Sequence, residues 1–368
     1  MPDFPYARLR RRPDVEAENL QAHDATDVLL VEWAIETGLP GAQIAVIGDD
    51  YGAITLALTD AGRTGVRVHQ DLITGRRALA LNAEELGLSG FITHEQSPAL
   101  LDDARLVLVK LPKSLAELEE IADAVARWAA PDAVLVAGGR VKHMTLAQNE
   151  VLARSFGSVQ AQRAQRKSRL IVASDPQPVP ATPPFPVSAQ HEGFTLVAHG
   201  GAFAGSRLDI GTRVLLGVLD RMPVAADVVD LGCGTGALAV SYARAHPEAR
   251  VIATDRSAAA AASARATVVA NGVADRVTVM HDDAGSKLPA GSVDLVLLNP
   301  PFHLGTSVHT GAATRLFIAA ARLLRPGGEL WTVYNSSLGY RAELGRRVGP
   351  TEQVVRTPKF TVARSIRR

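Results

Sequence analysis

"VVDLGCGTGALA", residues 228–239, decides how the rest of the chain is read. A β-branched run gives way to Gly232, Gly234 and Gly236, and these to an alanine-rich stretch. The pattern predicts a strand, a tight turn and a helix. Glycines allow left-handed backbone in such a turn and let the main chain come close to a ligand at the helix N-terminus. The G-x-G-x-G spacing alone does not decide the ligand, because dinucleotide-binding folds open with a related loop. Acidic residues further along sharpen it. Asp255 ends the next strand, "RVIATD", where a carboxylate can accept both hydroxyls of a ribose. Asp282 and Asp283 end a third, "RVTVMHDD", near where an adenine amino group would lie, with Asp283 preferred for that edge.

Outward from this loop, short strands that are apolar throughout alternate with helices: "DVVDLG", "RVIATD", "RVTVMHDD" and "VDLVLLN" against "GALAVSYARAH", "SAAAAASARATVVANG" and "AATRLFIAAARLLRPGG". This order indicates an α/β fold with a parallel sheet covered on both faces. "GELWTVYN" and "QVVRTPKFTVARSI" would complete the sheet, the last two runs as an antiparallel hairpin.

The fourth strand stops on Asn299, Pro300, Pro301 and Phe302. These residues suit neither a helix nor a strand interior, but they suit a reaction at an amine bonded to a planar ring. The lone pair of such an amine is delocalised. The Asn299 side-chain oxygen and the Pro300 carbonyl can accept from its two N–H groups and aim the nitrogen. The prolines stiffen the turn, and Phe302 offers a flat face for a base. Cys233 is read as a small loop residue, with no histidine nearby to activate it.

The first half repeats this plan. "AQIAVIGDDYGAITLAL" (42–58) aligns with "ADVVDLGCGTGALAVSY" (226–242), Asp71 with Asp255, and "LVLVKLPK" (106–113) with "LVLLNPPF" (295–302). Loop, acidic residue and strand-end proline recur in one order, which indicates duplication. The first copy has lost the chemistry: Asp50 and Tyr51 stand for Gly234 and Thr235, Lys110 for Asn299 and Lys113 for Phe302. Between the copies "SDPQPVPATPPFPVSAQ" (174–190) holds six prolines and reads as an extended connector. The expected division is residues 1–175, a linker at 176–190, and 191–368.

At 368 residues the chain suits two domains, and its 47% hydrophobic content supports folded structure. No apolar run is long enough to span a bilayer, and "MPDFPYARLRRRPD" has no signal-peptide core, so a cytoplasmic protein is expected. One cysteine excludes an internal disulfide and a multi-cysteine zinc site, and no metal is expected. Net charge is only +1, yet basic residues cluster at Arg8–Arg12, at Arg163, Arg166, Lys167 and Arg169, and along the tail from Arg341 to Arg368. Such clusters permit contact with a nucleic-acid backbone without requiring it.

The motifs together resemble class I S-adenosylmethionine-dependent methyltransferases. The tandem arrangement, with "KLPK" in the silent copy and "GAFAGSRLDIGTRVLL" (201–216) before the second loop, resembles bacterial ribosomal RNA guanine-N2 methyltransferases of the RsmC and RlmG type. Ala204, where that family usually has serine, and the proline-rich linker depart from its pattern. The resemblance implies two tandem Rossmann-like methyltransferase domains, the N-terminal copy degenerate and the C-terminal copy active. It implies S-adenosylmethionine as cofactor. Asp209, Gly211, Thr212, Asp230, Gly232, Gly234 and Gly236 would lie around its methionine end, Asp255 on the ribose and Asp283 or Asp282 on the adenine, with Asn299 also facing the cofactor's methyl group. Ribosomal RNA or a ribosomal subunit is the implied partner, contacted by Lys110, Lys113, Arg163, Arg166 and Lys167. Methylation of adenine N6 or of a protein glutamine stays open, since the strand-end motif sets the reaction class and not the substrate. A nicotinamide-dependent oxidoreductase would leave Asn299–Phe302 without a role, and an inactive RNA-binding module would leave the intact loop unexplained.

Overall fold

A computed structural model describes residues 4–191, 193–301 and 307–368, and of 307–310 the backbone alone. The chain divides into two units, Met1–Phe185 and Pro186–Arg368. In the first unit α1 (Ala25–Glu36), β1 (Ile44–Ile47), α2 (Ala53–Asp60), β2 (Arg67–His69), α3 (Ile73–Leu86) and β3 (Ile92–Thr93) follow in turn. Then come α4 (Pro98–Leu101), β4 (Leu106–Lys110), α5 (Leu115–Trp128), β5 (Val134–Arg140), α6 (Leu146–Leu152), β6 (Phe156–Ala161) and β7 (Ser168–Pro176). The strand order is β3-β2-β1-β4-β5-β7-β6, parallel except at β7, which runs antiparallel to β5 and β6.

The second unit opens with a two-stranded sheet, β8 (Val187–His191) and β9 (Phe194–Ala198). It continues through α7 (Ile210–Leu216), β10 (Asp227–Leu231), α8 (Ala237–Ala245), β11 (Arg250–Asp255), α9 (Ala258–Ala270), β12 (Val277–His281) and β13 (Val293–Leu298). It ends with α10 (Ser307–Leu323), β14 (Leu324–Asn335), α11 (Arg341–Arg347), β15 (Thr351–Arg356) and β16 (Phe360–Ile366). Its order, β12-β11-β10-β13-β14-β16-β15, reproduces the first sheet strand for strand. The expected closing hairpin is β15–β16, with β16 also antiparallel to β14.

Each sheet is buried on both faces by the same layers. Leu30 of α1, Ile54 of α2 and Leu79 of α3 cover one face of the first sheet, and Leu100, Ile121 and Leu152 of α4–α6 cover the other. In the second, Leu215, Leu238 and Val268 of α7–α9 face Phe317, Leu323 and Leu344 of α10 and α11 across the strands. Continuous apolar strands are the sequence signature of such burial, which is why the strands were legible.

Two boundaries differ from the sequence reading. The 176–190 stretch is shared between the units: Pro176 closes β7, the Arg127 guanidinium on α5 donates to the carbonyls of Pro180 and Ala181, and β8 begins at Val187. The helix expected to stop at Pro-Gly-Gly ends at Leu323. Val293 then pairs with Leu324 and Leu295 with Glu329, so Arg325–Gly328 is an irregularity inside β14 rather than a helix cap. No helix among the described residues is long and apolar enough to cross a membrane.

Candidate active site

In the second unit a cavity of about 590 Å³ opens where β10, β11, β12 and β13 end. Its wall includes Gly232, Gly234, Asp255, Asp282, Asp283, Asn299, Pro300 and Pro301, together with Asp209 and Thr212 from the start of α7. Sequence positions up to 92 residues apart thus meet because each follows a strand end or begins a helix. Phe302 lies outside the described residues.

The glycine loop takes the conformation its composition requires. Gly232, Gly234 and Gly236 have φ of 77°, 54° and 84°, and α8 starts directly after them. A Cβ on Gly232 or Gly234 would meet no protein atom within 4 Å, so both leave main chain bare at the cavity wall. Gly236 does a different job. Its Cβ would come within 3.2 Å of Ala264 on α9, so this glycine serves helix packing. Asp255 holds the loop: it accepts from Gly234 N at 2.9 Å and from Ser257 N at 2.9 Å.

Three expected cofactor residues do not line the cavity. Asp230 is fully buried beneath the loop, where one carboxylate oxygen accepts from Ala239 N at 3.0 Å and caps α8, while the other has no partner. Burial pushes its pKa up to about 7, against the opposing pull of the Ala239 N–H. Gly211 is buried within α7, and Gly236 sits at the packing contact just described. Cys233 is buried, and burial together with the carboxylates of Asp255 and Asp230 pushes its thiol well above the usual range. It is a neutral loop residue and no nucleophile.

The acidic pair separates into two tasks. Asp282 is fully buried and accepts from Ser286 Oγ at 2.6 Å and Lys287 N at 3.1 Å, which fixes its own turn. Asp283 forms an ion pair with Arg315 of α10. Arg315, Arg207, Arg256 and Lys359 also line the cavity. The sequence reading missed the first three. Only Lys359 carried a signal, as part of the basic tail; elsewhere in that tail Arg346 and Arg347 pair with Glu343, and Arg364 with Glu329 and Glu352.

Asn299 is held on one side only. Its Nδ2 donates to Asp209 Oδ2 at 3.0 Å and to Thr212 Oγ1 at 2.8 Å, and its Oδ1 is shielded from solvent with no hydrogen-bond partner among the described residues.

At the equivalent corner of the first unit a lysine sits among three aspartates. Lys110 Nζ lies 2.8 Å from Asp27 Oδ1, 3.5 Å from Asp50 and 4.0 Å from Asp24. Burial depresses its pKa, but these carboxylates outweigh that and hold it above the ordinary lysine value. Tyr51 donates to Asp14 at 3.0 Å, and the Arg11 guanidinium lies 4.6 Å from its ring centre. The phosphate contact expected of Lys110 from the sequence would have to compete with these carboxylates. The Lys110 charge is neutralised within the fold. Lys113, Arg163 and Lys167 are exposed; Arg166 is exposed but paired with Glu32 at 3.1 Å. Among the described residues no group of three or more His, Cys, Asp or Glu is arranged to hold a metal ion.

A family model for the methyltransferase small domain matches residues 193–364, and one for the RLMG N-terminal domain matches residues 3–177. A Pseudomonas paraeruginosa protein named ribosomal RNA large subunit methyltransferase G is 38% identical over 99% of this chain and 100% of its own length. A Streptomyces avermitilis protein of the same name is 36% identical over 98% of this chain and 97% of its own. The fold is shared with a T. thermophilus 16S rRNA N2 methyltransferase, RsmC, solved with AdoMet and guanosine; the TM-score is 0.75 at 23% identity, covering 94% of this chain and 92% of that one. The chain belongs to the ribosomal RNA large subunit methyltransferase G family.

Proposed function

We propose that the second unit transfers a methyl group from S-adenosylmethionine to the exocyclic N2 amine of a guanine in large-subunit ribosomal RNA. The observation that carries this reading is the unpaired, shielded Asn299 oxygen at the wall of the cavity. A buried carbonyl oxygen without a donor costs about 1–3 kcal/mol, and such groups mark places where a ligand N–H completes the pairing. The relatives' name supplies the substrate class, large-subunit ribosomal RNA.

The cavity fits the cofactor. Bare main chain at Gly232 and Gly234 leaves room for its methionine end, Asp255 is the carboxylate for the ribose hydroxyls, and Asp283 is the carboxylate for the adenine edge. When bound, S-adenosylmethionine supplies an electrophilic methyl carbon on a sulfonium centre. The residues of the chain do the rest. Asn299 Oδ1 and the Pro300 carbonyl accept the two N–H groups of the target amine and aim its nitrogen. Pro300 and Pro301 keep those acceptors fixed. The guanine reaches this position only if it is unstacked from its helix, with Phe302 as the stacking face given by the sequence.

For the first unit we propose RNA backbone contact through the exposed Lys113, Arg163 and Lys167. Their joint replacement by Glu should weaken RNA binding and flatten its salt dependence, with cofactor affinity unchanged; unaltered RNA affinity would remove the idea. An enzyme acting on ribosomal RNA works where ribosomes are assembled, which puts this one in the cytoplasm.

The test is transfer of label from S-adenosylmethionine to ribosomal RNA or subunits taken from a strain lacking the protein, followed by mapping of the modified base. Asn299→Ala should abolish transfer and retain cofactor binding.

A further inference from the structure

The contacts around Asn299 go beyond holding a side chain in place. A primary amide has two donors and one acceptor oxygen, and here both donors meet acceptors at the start of α7. Asp209 is the N-cap of that helix and accepts from Thr212 N at 3.1 Å. The cap alone needs only that bond. It does not require Asp209 Oδ2 and Thr212 Oγ1 to converge on one Nδ2 from a strand end 90 residues away.

Their convergence decides which way the amide faces. A carboxylate only accepts, so Asp209 demands the nitrogen end. Turning the amide over would set two oxygens against each other and strand the Nδ2 group. The oxygen is thereby left as the one unsatisfied group of Asn299, shielded from water and without a protein donor among the described residues. A hydrogen bond from Nδ2 to an anion also draws electron density onto Oδ1 and strengthens it as an acceptor, by roughly 10–30% per linked bond. Asp209 has a second effect. The target nitrogen is more positive in the transition state than before it, and a fixed carboxylate behind the amide favours that change.

The duplicate supplies an internal comparison. Asp24 is the N-cap of α1 and Asp27 its third residue, as Asp209 and Thr212 are for α7, and Lys110 ends β4 where Asn299 follows β13. The same three positions meet: Lys110 Nζ lies 2.8 Å from Asp27 and 4.0 Å from Asp24. Where the strand end is a cation, the helix offers two carboxylates that pair with it. Where it is an amide, the helix offers one carboxylate and a hydroxyl, two acceptors for two N–H groups, and the amide oxygen is left over.

We propose that Asp209 and Thr212 are positioning residues for methyl transfer. They act through Asn299 by engaging both of its N–H groups, so that its oxygen is the one group of the side chain left to accept from the target amine. The proposal rests on the methyl-transfer reading above and differs from a direct cofactor contact by these two residues. Thr212→Val keeps the shape of the side chain and removes the Oγ1 acceptor; Asp209→Asn keeps a good helix cap and removes the charge. In the full-length enzyme Thr212→Val should lower kcat about ten- to hundred-fold, as misplacing a reacting group does. Affinity for S-adenosylmethionine and the melting midpoint should stay at wild-type values. Thr212→Ser should recover most of the loss, and Asp209→Asn should lower kcat without raising the cofactor Kd. Wild-type kcat in Thr212→Val would overturn the proposal, as would a loss confined to cofactor affinity. If Asn299→Ala is inactive while both variants are fully active, positioning fails and the methyl-transfer reading stands. If Asn299→Ala is itself active, the reading beneath it fails.

Discussion

Lys110 and Asp230 are both charged residues in the interior, and each has a consequence that a sequence alone misstates. Lys110 was legible as a cation at a former active-site position, but its partner Asp27 comes from a helix 83 residues earlier, and nothing in the local sequence announces that pairing. Removing one member of a buried ion pair leaves the rest uncompensated, so Lys110→Ala should destabilise the first unit by about 3–5 kcal/mol. Denaturant titration checks this; an unchanged midpoint would mean the cluster is slack. Asp230 titrates near 7 when folded, above the value of about 3.9 expected in an unfolded chain. The folded state therefore binds this proton more tightly. The stabilisation is complete below pH 4 and is lost as pH rises through 7. Asp230→Asn keeps an oxygen for Ala239 N and removes the titration, so its stability relative to wild type should rise across that window. Parallel stability–pH curves for the two proteins would show that Asp230 is not the group responsible.

At the scale of elements, the glycine loop between β10 and α8 was read in full from the sequence because backbone demands write themselves as residue type. All three glycines carry positive φ. The reading did not separate their duties: two leave the cavity wall bare and the third admits α9. Gly234→Ala tests this division. It should cost stability by only about 1–2 kcal/mol for a left-handed alanine, yet weaken S-adenosylmethionine binding far more, because the new methyl group projects from the cavity wall. Calorimetric binding beside thermal unfolding measures both, and a binding loss no larger than the stability loss would contradict the assignment. The β8–β9 hairpin was not legible. Val187–His191 has only exposed or half-exposed residues, so it carries no apolar alternation. It pairs with β9, whose main chain is met by side chains of α9 and the residue after it, Thr267, Ser263 and Asn271. β9 itself is apolar and buried, with Phe194 and Leu196 in the core, but it is a short run whose partner strand carries no period to read.

For the whole molecule, two sheets of identical strand order in one chain accord with duplication, and their corresponding corners carry different chemistry. One copy has bare glycines, an amide with an unused oxygen and a cavity. The other has Asp50 and Tyr51 in the loop and a lysine locked among aspartates. The sequence showed which copy kept the chemistry, because residue types at the motif positions changed. It did not show how Lys110 is paired in the silent copy, or that Asp209 and Thr212 bear on Asn299, because those contacts exist only once distant segments are folded together. The central claim is that Asn299 in the second unit directs a methyl group to guanine N2. The direct measurement is base-resolved analysis of ribosomal RNA after incubation with labelled S-adenosylmethionine and either wild-type protein or Asn299→Ala. The account predicts one N2-methylguanine with wild type and none with the variant, which still binds cofactor. Label on adenine or on protein, or an active Asn299→Ala enzyme, would contradict it.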